Sequence, residues 1–327
     1  MYYRQSSRIF ETVKKAKNLL INTHKNPDYD SLGSALAMQR ILKQLEKEAR
    51  IISCQQINPH FFFLPGASKI EKIDYKSFDF STYDLFIIAD TGSSDRVTGS
   101  KQISLPKNLN YIILDHHKTN DFSNWEKLLD ENASATCELL FYLFKDWKMP
   151  IDKVSATYLL TGIMGDTVFL RHCQDNKKTF RTVSELVEKG ADQDLIAENF
   201  FEKHDFKTIK LLGEFLAKMK KEVDFVWTAV PYALFEKYGK PEGVREMAAD
   251  LFFRGIKGTE FGVAMLESKK GMINVSFRSK KYKDVVKLAE KFGGGGHKNA
   301  AGATLYGNFA EEVKKVLMTA KKNSKNP

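Results

Sequence analysis

Residues 19–34 read LLINTHKNPDYDSLGS. The apolar run 19–23 is short and rich in leucine and isoleucine, which is typical of a buried strand. The polar turn that follows it carries His24, Asp28 and Asp30. Beyond this turn, residues 33–48 repeat apolar side chains at helical spacing. A buried strand, a polar loop and a helix in this order predict one strand of a parallel sheet with a helix packed on it.

The same kind of apolar run recurs along the N-terminal part of the chain. Residues 50–54, 84–90 and 110–115 are short and apolar, and they predict three more buried strands. From residue 134 to about residue 190 the pattern is helical, most clearly at 155–164. Strands that alternate with helices predict an α/β fold with a mainly parallel sheet flanked by helices.

A second region with its own alternation follows a charged, amphipathic stretch at 205–222. That stretch has no strand pattern, and we expect it to be a helix connecting two domains. We therefore predict a first domain over 1–200, a connecting helix over 201–224 and a smaller α/β domain over 225–327. In the last of these, strands are predicted at 225–231, 260–266, 272–278 and 301–305, and helices at 284–292 and 309–320.

The charge of the chain is unevenly distributed. The net charge is +10, from 51 Lys and Arg against 41 Asp and Glu. Residues 1–200 hold 26 of each sign, so the whole excess lies in residues 201–327. A basic C-terminal part fits an anionic ligand such as phosphate or nucleic acid, and equally fits a solvated lysine-rich surface.

The composition also limits the class of protein. Three cysteines are too few for a disulfide framework or a cysteine-based zinc site. No apolar run approaches the roughly 20 residues that span a bilayer, and the polar start does not resemble a signal peptide. We expect a cytoplasmic protein that makes no contact with a membrane.

Acidic and histidine residues cluster where the predicted strands and one helix end. Each cluster has an ordinary explanation, since Asp28 and Asp30 could cap a helix and a lone aspartate often lies in a loop. Together they predict a site for Mn²⁺, Mg²⁺, Fe²⁺ or Zn²⁺, because so many converging carboxylates require cations, and their number suits two ions that share one carboxylate. The four clusters are His24 with Asp28 and Asp30, Asp90, Asp115 with His116 and His117, and Asp166.

Six sequence signatures, in this order, resemble a known family. HKNPDYDSLGS, DTG, DHH and GDT are similar to the four motifs of the DHH phosphoesterases. VSFRS at 275–279 and GGGGHKNAAGA at 293–303 are similar to the DHH-associated substrate-binding domain of that family. The resemblance covers nearly the whole chain and is greatest to the nanoRNase and pAp phosphatase branch, which is described as NrnA-like. Tyr29 departs from the pattern, since the family often has glycine there.

The resemblance implies roles for the clustered residues of the first domain. One metal ion would be held by His24, Asp28 and Asp90, and a second by Asp30, Asp90, His116 and Asp166, with Asp90 bridging. Mn²⁺ is the expected metal, with Mg²⁺ as the alternative. Asp115 and His117 would be catalytic, Asp115 by orienting a ligand histidine and His117 by facing the scissile phosphate. The residues around Arg96, apart from the resemblance, leave two roles open for it: contact with phosphate or an ion pair with Asp95.

The resemblance also implies that the second domain binds the far end of the substrate. Glycines let backbone amides approach an anion, and an arginine fork suits a terminal phosphate. A flexible turn is the alternative explanation for the glycine run. The substrate-binding residues implied are Arg278, Ser279, Gly294, Gly295, Gly296 and His297.

The function implied is hydrolysis of RNA of two to five nucleotides to 5′-mononucleotides, with pAp phosphatase activity beside it. One alternative is a phosphodiesterase for cyclic or linear di-adenylate. Another is a pyrophosphatase or polyphosphatase, and a non-enzymatic nucleic-acid-binding protein is the least consistent with an intact metal constellation. Short RNA or dinucleotides would be the partners, and a homodimer is consistent with the resemblance.

Overall fold

The computed structural model describes residues 2–118, 121–123, 125–202, 205–251, 256–280 and 283–324. The chain divides into two compact units, Met1–Glu202 and Lys203–Pro327, and each contains its own six-stranded sheet. Within the described ranges, no helix combines the length and the apolar character that crossing a bilayer requires.

The sheet of the first unit is entirely parallel, and its strands lie in the order β3-β2-β1-β4-β5-β6. Because a right-handed crossover covers each pair of parallel strands, both faces of such a sheet are buried. The side chains of β1 and β4 alternate between two apolar cores, one on each face. The strands are β1 (Asn18–Thr23), β2 (Glu48–Ser53), β3 (Glu71–Lys72), β4 (Leu85–Ala89), β5 (Asn110–Asp115) and β6 (Glu126–Leu129).

The helices of this unit pack around the sheet and complete the predicted α/β fold, which is confirmed. Helix α2 begins at Tyr29, directly after the polar turn, and packs against the apolar helix α5. A π-helical segment, Glu198–Glu202, closes the unit. The helices are α1 (Ser6–Lys15), α2 (Tyr29–Gln44), α3 (Ser94–Thr98), α4 (Thr136–Asp146), α5 (Lys153–Asp166), α6 (Asn176–Glu188) and α7 (Gln193–Ala197).

The second unit has a mixed sheet in the order β11-β12-β10-β9-β8-β7, in which β8 and β9 are parallel and the other pairs antiparallel. Its elements are α8 (Phe206–Ala217), β7 (Lys220–Lys221), β8 (Phe225–Val230), α9 (Tyr232–Lys237), α10 (Val244–Leu251), β9 (Phe261–Lys269), β10 (Met272–Ser279), α11 (Val286–Glu290), β11 (Gly295–His297), β12 (Ala300–Tyr306) and α12 (Phe309–Ser324).

The stretch 205–222 differs from the prediction of one strandless helix. Helix α8 ends at Ala217, and Lys220 and Lys221 pair with Trp227 and Val226 as an edge strand. The buried side chains of α8 belong to an apolar core of the second unit, together with those of β8 and α10. Two lysines carry no apolar pattern, so the sequence could not indicate a strand whose residues are exposed on both faces.

Candidate metal centre

The turn between β1 and α2 carries the first group of acidic and histidine side chains. Asp28 is the N-cap of α2, and its Oδ1 accepts a hydrogen bond from the backbone N–H of Ser31 at 3.0 Å. Its other oxygen, Oδ2, lies 3.5 Å from Nε2 of His24. The two explanations considered for Asp28 therefore coexist, since one oxygen caps the helix and the other faces the histidine.

Asp90 lies between the two predicted groups of ligands. It follows the last residue of β4, and its φ of 59° places it in the left-handed region that few residues other than glycine adopt. Its Oδ2 lies 3.4 Å from Nε2 of His24, and its Oδ1 lies 3.8 Å from Nε2 of His116. One buried carboxylate thus faces a histidine on each side, which is the arrangement that a bridging ligand requires.

The two histidines present the same nitrogen to these carboxylates. Nδ1 of His24 donates to the carbonyl of Lys25 at 2.9 Å, and Nδ1 of His116 donates to the carbonyl of Ala133 at 3.3 Å. Nε2 of His116 is buried without a hydrogen bond of ordinary geometry, although Oδ2 of Asp166 lies 3.0 Å away. A nitrogen lone pair that faces carboxylates is repelled unless a proton or metal ion lies between them, so this donor set fits a divalent cation.

The six residues predicted as metal ligands all lie in donor groups whose atoms are within 4.8 Å of one another. Three such groups occur among the described residues, and they share members. The groups are His24, Asp28 and Asp90; Asp30, His116 and Asp166; and Asp90, His116 and His117.

The N-terminus of α4 positions two of these carboxylates. The backbone N–H groups of Thr136 and Cys137 donate to Asp30 at 2.6 and 2.9 Å, and the hydroxyl of Thr136 donates to Oδ1 of Asp90 at 3.1 Å. The first N–H groups of a helix have no partner within the helix, and they favour an anion. Sequence analysis missed Thr136, because it lies 106 positions from Asp30 and its only signal is its place before a helical pattern.

Close packing of α5 against α2 brings Asp166 to the same place. A Cβ on Gly162 would clash with Sγ of Cys137 and would lie 2.6 Å from Oδ1 of Asp30, so only glycine fits at this position. Asp166 is the last residue of α5. A carboxylate at a helix C-terminus is electrostatically unfavourable, which indicates that a nearby positive charge compensates it.

The clustered charges shift the pKa values of their own members. Burial raises the pKa of Asp90 well above its usual range, and the negative charges of Asp30, Asp28 and Asp166 raise it further. Burial and the same kind of repulsion raise the pKa of Asp166 to about 6. Burial lowers the pKa of His116, but the adjacent Asp166 and the charges of Asp30 and Asp90 outweigh it and raise that pKa to about 10. A cation bound here would replace these protons.

Asp115 and His117 form a hydrogen-bonded pair beside the cluster. Nδ1 of His117 donates to Oδ1 of Asp115 at 2.7 Å, and the backbone N–H of His117 reaches the same oxygen at 3.2 Å. Asp115 is fully buried at the end of β5. It therefore orients His117, the histidine expected to face substrate, whereas His116 is oriented by the carbonyl of Ala133.

Tyr29, which departs from the family pattern, is packed rather than free to stack a base. Its ring lies face to face with that of Phe200, with centroids 3.8 Å apart, and its hydroxyl hydrogen-bonds Nε2 of His60. A Cβ on Gly165 would lie 2.7 Å from the Cβ of Tyr29, so the chain before Asp166 passes directly against this tyrosine. The larger residue thus joins the turn before α2 to the end of α5.

The predicted substrate residues of the second unit fall in two environments. In the sheet register, Arg278 of β10 pairs with Ala300 of β12, and Ala300 pairs with His297 of β11, so Arg278 and His297 lie in one row. The side chain of His297 lies outside what the structure describes. Ser279 is buried, and its hydroxyl lies 3.3 Å from Oδ1 of Asn299, so it holds the turn between β11 and β12.

The glycine run leads from a turn into the sheet: Gly293 lies in the turn after α11 with a φ of 69°, and β11 begins at Gly295. A Cβ on Gly294 would clash with the carbonyl of Gly302, and one on Gly296 would lie 2.5 Å from the carbonyl of Ala300. These two glycines are required by close strand packing. Gly295, between them, is exposed, has no atom near its Cβ position and pairs with Gly302 of β12.

Comparison with known proteins agrees with this geometry. Residues 18–163 match the model of the DHH family N-terminal domain, and residues 228–325 match the DHHA1 domain. The chain is 28% identical to the bifunctional oligoribonuclease and PAP phosphatase NrnA of Thermus thermophilus, over 94% of this chain and 90% of that protein. It is 24% identical to the cyclic-di-AMP phosphodiesterase PdeA of Listeria monocytogenes, over 96% of this chain and 49% of that protein.

Among solved structures, an exopolyphosphatase-related protein from Bacteroides fragilis matches over 97% of this chain and 96% of its own, with a TM-score of 0.88 and 25% identity. The two domain models together match most of the chain, in the order that the motifs predict, and the donor groups lie within the first of them or just beyond it. The chain therefore belongs to the DHH family of metal-dependent phosphoesterases, with a DHHA1 domain following its DHH domain.

Proposed function

We propose that this protein binds two divalent metal ions in its first unit and hydrolyses short oligoribonucleotides to 5′-mononucleotides. The single observation that carries the proposal is Asp90, whose two oxygens face His24 on one side and His116 on the other. One ion would be held by His24, Asp28 and Asp90, and the other by Asp30, Asp90, His116 and Asp166. Imidazole and carboxylate ligands suit Mn²⁺, with Mg²⁺ as the alternative.

When bound, two such ions supply a nucleophilic hydroxide near neutral pH and stabilise negative charge on the phosphate. The residues of the chain do the rest. The carbonyls of Lys25 and Ala133 hold the two ligand histidines with Nε2 directed at the carboxylates, and α4 holds Asp30 through two backbone N–H groups. Because these groups are buried and already oriented, little rearrangement is needed when substrate binds.

His117 is the group that we assign to proton transfer. Its Nδ1 is bound to the buried carboxylate of Asp115, so its Nε2 is the nitrogen that can exchange a proton with substrate. The carboxylate fixes the orientation of the ring and the nitrogen that carries its proton. We propose that Nε2 protonates the leaving 3′-oxygen, as a general acid does in other phosphoester hydrolyses.

The substrate class rests on the relatives and on the second unit. The Thermus thermophilus relative is named as an oligoribonuclease and PAP phosphatase, and it matches this chain over nearly its whole length. Arg278 supplies a guanidinium that keeps N–H groups for a terminal phosphate beside its contacts with Asp250 and the carbonyl of Phe277. By the same logic, the enzyme would release phosphate from pAp. Hydrolysis of cyclic or linear di-adenylate is the second candidate, favoured by the similarity to PdeA.

The test is an assay of the purified chain loaded with Mn²⁺ or with Mg²⁺. The substrates are a diribonucleotide, a five-nucleotide RNA, pAp, linear pApA, cyclic di-adenylate and pyrophosphate. We expect the highest kcat/KM with the short RNAs and measurable activity with pAp. Highest activity with cyclic di-adenylate would select the second candidate, and activity with pyrophosphate alone would overturn both.

A further inference from the structure

Arg96 occupies an unusual position beside the donor groups. It lies in α3, which follows Asp90, and its Nη2 is 2.9 Å from Nε2 and 3.1 Å from Nδ1 of His24. A hydrogen bond to one ring nitrogen in the ring plane would be much shorter to that nitrogen than to the other. The nearly equal distances therefore place the guanidinium nitrogen over the face of the imidazole, so that the in-plane lone pair of Nε2 stays directed at Asp28 and Asp90.

Among the residues that the structure describes, no carboxylate lies within ion-pair distance of the guanidinium, although its charge also favours the ionised form of Asp28. Its side-chain contacts are the two with His24, and the pair with neighbouring Asp95 that the sequence left open is not formed. The backbone carbonyl of Arg96 accepts from the N–H of Lys25 at 2.6 Å, which fixes α3 against the turn that carries the ligands. A half-buried arginine is ordinarily paired with an acid, because burying an unpaired charge is unfavourable.

The charges around Arg96 and His24 indicate which kind of ligand would bind between them. Any cation bound at Nε2 of His24 has the Arg96 guanidinium as an immediate neighbour, and two cations so close repel one another. An anion lying between them removes the repulsion, and a phosphate oxygen is the ligand that both a divalent ion and a guanidinium prefer. The position thus suits the phosphate that undergoes hydrolysis.

We propose that Arg96 binds the reacting phosphate group of the substrate, and that its contact with His24 holds it ready when no substrate is present. The inference rests on the proposed function, since it takes a phosphoester as the substrate. Arg96 is thereby assigned to the phosphate that lies at the metal centre. Arg278 is assigned to the terminal phosphate at the other end of the substrate.

The experiment compares R96A, R96Q, R96K and the wild type. Isothermal titration calorimetry measures Mn²⁺ binding to each protein, and then 5′-AMP binding to the Mn²⁺-loaded form. R96Q keeps the length and much of the packing of the side chain, so a loss of stability in R96A does not decide the result. K101A is the matched control, because it removes an exposed cation five positions from Arg96 that has no part in the proposed site.

We expect R96A and R96Q to bind 5′-AMP about 10- to 150-fold more weakly, the range for loss of a charge-assisted hydrogen bond, with R96K between them and the wild type. Their affinity for Mn²⁺ should stay the same or increase, because a neighbouring positive charge is removed. In K101A the affinity for 5′-AMP should change less than threefold. On a diribonucleotide, kcat should fall with kcat/KM, since the contact is to the group that reacts.

Two results would overturn the proposal. Unchanged 5′-AMP affinity in R96Q would mean that Arg96 does not contact phosphate. A parallel loss of Mn²⁺ and 5′-AMP affinity would mean that Arg96 only supports His24. If the wild type binds 5′-AMP through Arg96 yet hydrolyses no phosphoester, the proposed function fails while the contact of Arg96 with phosphate is still shown.

Discussion

Arg278 holds Asp250 with one edge of its guanidinium: Nε lies 2.5 Å from Oδ1 and Nη2 lies 3.3 Å from Oδ2. Nη1 donates to the carbonyl of Phe277 at 3.1 Å. Of the five N–H groups of an arginine, these contacts use three. Within the described part of the second unit, one N–H therefore remains on Nη1 and one on Nη2, which together form the edge that binds a phosphate in a bidentate manner.

The first prediction concerns this remaining edge. R278A should lower kcat/KM on a diribonucleotide about 10- to 150-fold, the effect of losing a charge-assisted hydrogen bond. Hydrolysis of a chromogenic phosphodiester without a second phosphate should hardly change. K280A is the control, since it removes a nearby cation whose amine is bound to the carbonyl of Ile256. Equal losses on both substrates would assign Arg278 to folding instead of recognition.

Asp90 provides the second prediction. D90N keeps the size of the side chain but removes the charge that faces both histidines, so turnover should fall below a tenth of the wild-type value. Calorimetry should show that fewer than two Mn²⁺ ions bind with the wild-type affinity. A variant that binds two ions and retains more than a tenth of kcat would show that Asp90 does not bridge.

Metal removal and pH provide the third prediction. EDTA should abolish activity, and Mn²⁺ should restore it better than Ca²⁺, whose looser geometry fits this donor set poorly. Protons held by His116, with its pKa raised to about 10, and by Asp166, with its pKa raised to about 6, must leave when a metal ion binds. The affinity for Mn²⁺ should therefore increase as the pH is raised and weaken steeply below about pH 6.

In the metal-free protein, His116 makes the stability of the fold depend on pH in the opposite direction to the metal affinity. Its raised pKa stabilises the fold fully below its ordinary value, and this contribution is lost as the pH rises towards about 10. Calorimetric titration of Mn²⁺ in two buffers of different ionisation enthalpy tests the proton release. An observed enthalpy that is the same in both buffers, with a pH-independent affinity, would contradict it.

Gly162 provides a fourth prediction, which separates packing from charge. G162A should lower the free energy of unfolding by about 1–3 kcal/mol, the usual cost of overpacking, because the methyl group would meet Cys137 and Asp30. Mn²⁺ affinity should fall as well, since Asp30 must move. G213A is the control: Gly213 lies in α8, and nothing is close to its Cβ position. A comparable loss of Mn²⁺ affinity in G162A and G213A would contradict the view that packing at Gly162 positions Asp30.

The pair of Asp115 and His117 provides the fifth. H117A should lower kcat about 10²- to 10⁴-fold, as expected for loss of a general acid, with metal binding intact. D115N should lower kcat less, because it removes the carboxylate that fixes the ring orientation of His117 and leaves the ring itself in place. An unchanged kcat in D115N would contradict the proposed role of the pair.

The strands of the first unit and most of the predicted metal ligands could be predicted from the sequence, because local patterns indicate both. The strands from 19 to 115 are apolar runs, and His24, Asp90 and Asp115 follow or end them, so the shared edge of a parallel sheet brings them together. The short strands β3 and β6 were missed, since edge strands of two and four residues carry little apolar signal.

Contacts between distant residues could not be predicted. Three such contacts depend on how separate elements pack. They are the hydrogen bond from Thr136 to Asp30, the ion pair of Arg278 with Asp250 and the contact of Arg96 with His24. The glycine run was expected to act through ligand binding, whereas two of its members are explained by strand packing. The substrate, the metal and a homodimer stay predictions.

The backbone at Asp90 has a consequence for stability. A non-glycine residue with a φ of 59°, whose carboxylate is buried among other acids, makes the metal-free protein less stable than it could be. The chain thus gives up part of its durability in order to hold one carboxylate between two histidines.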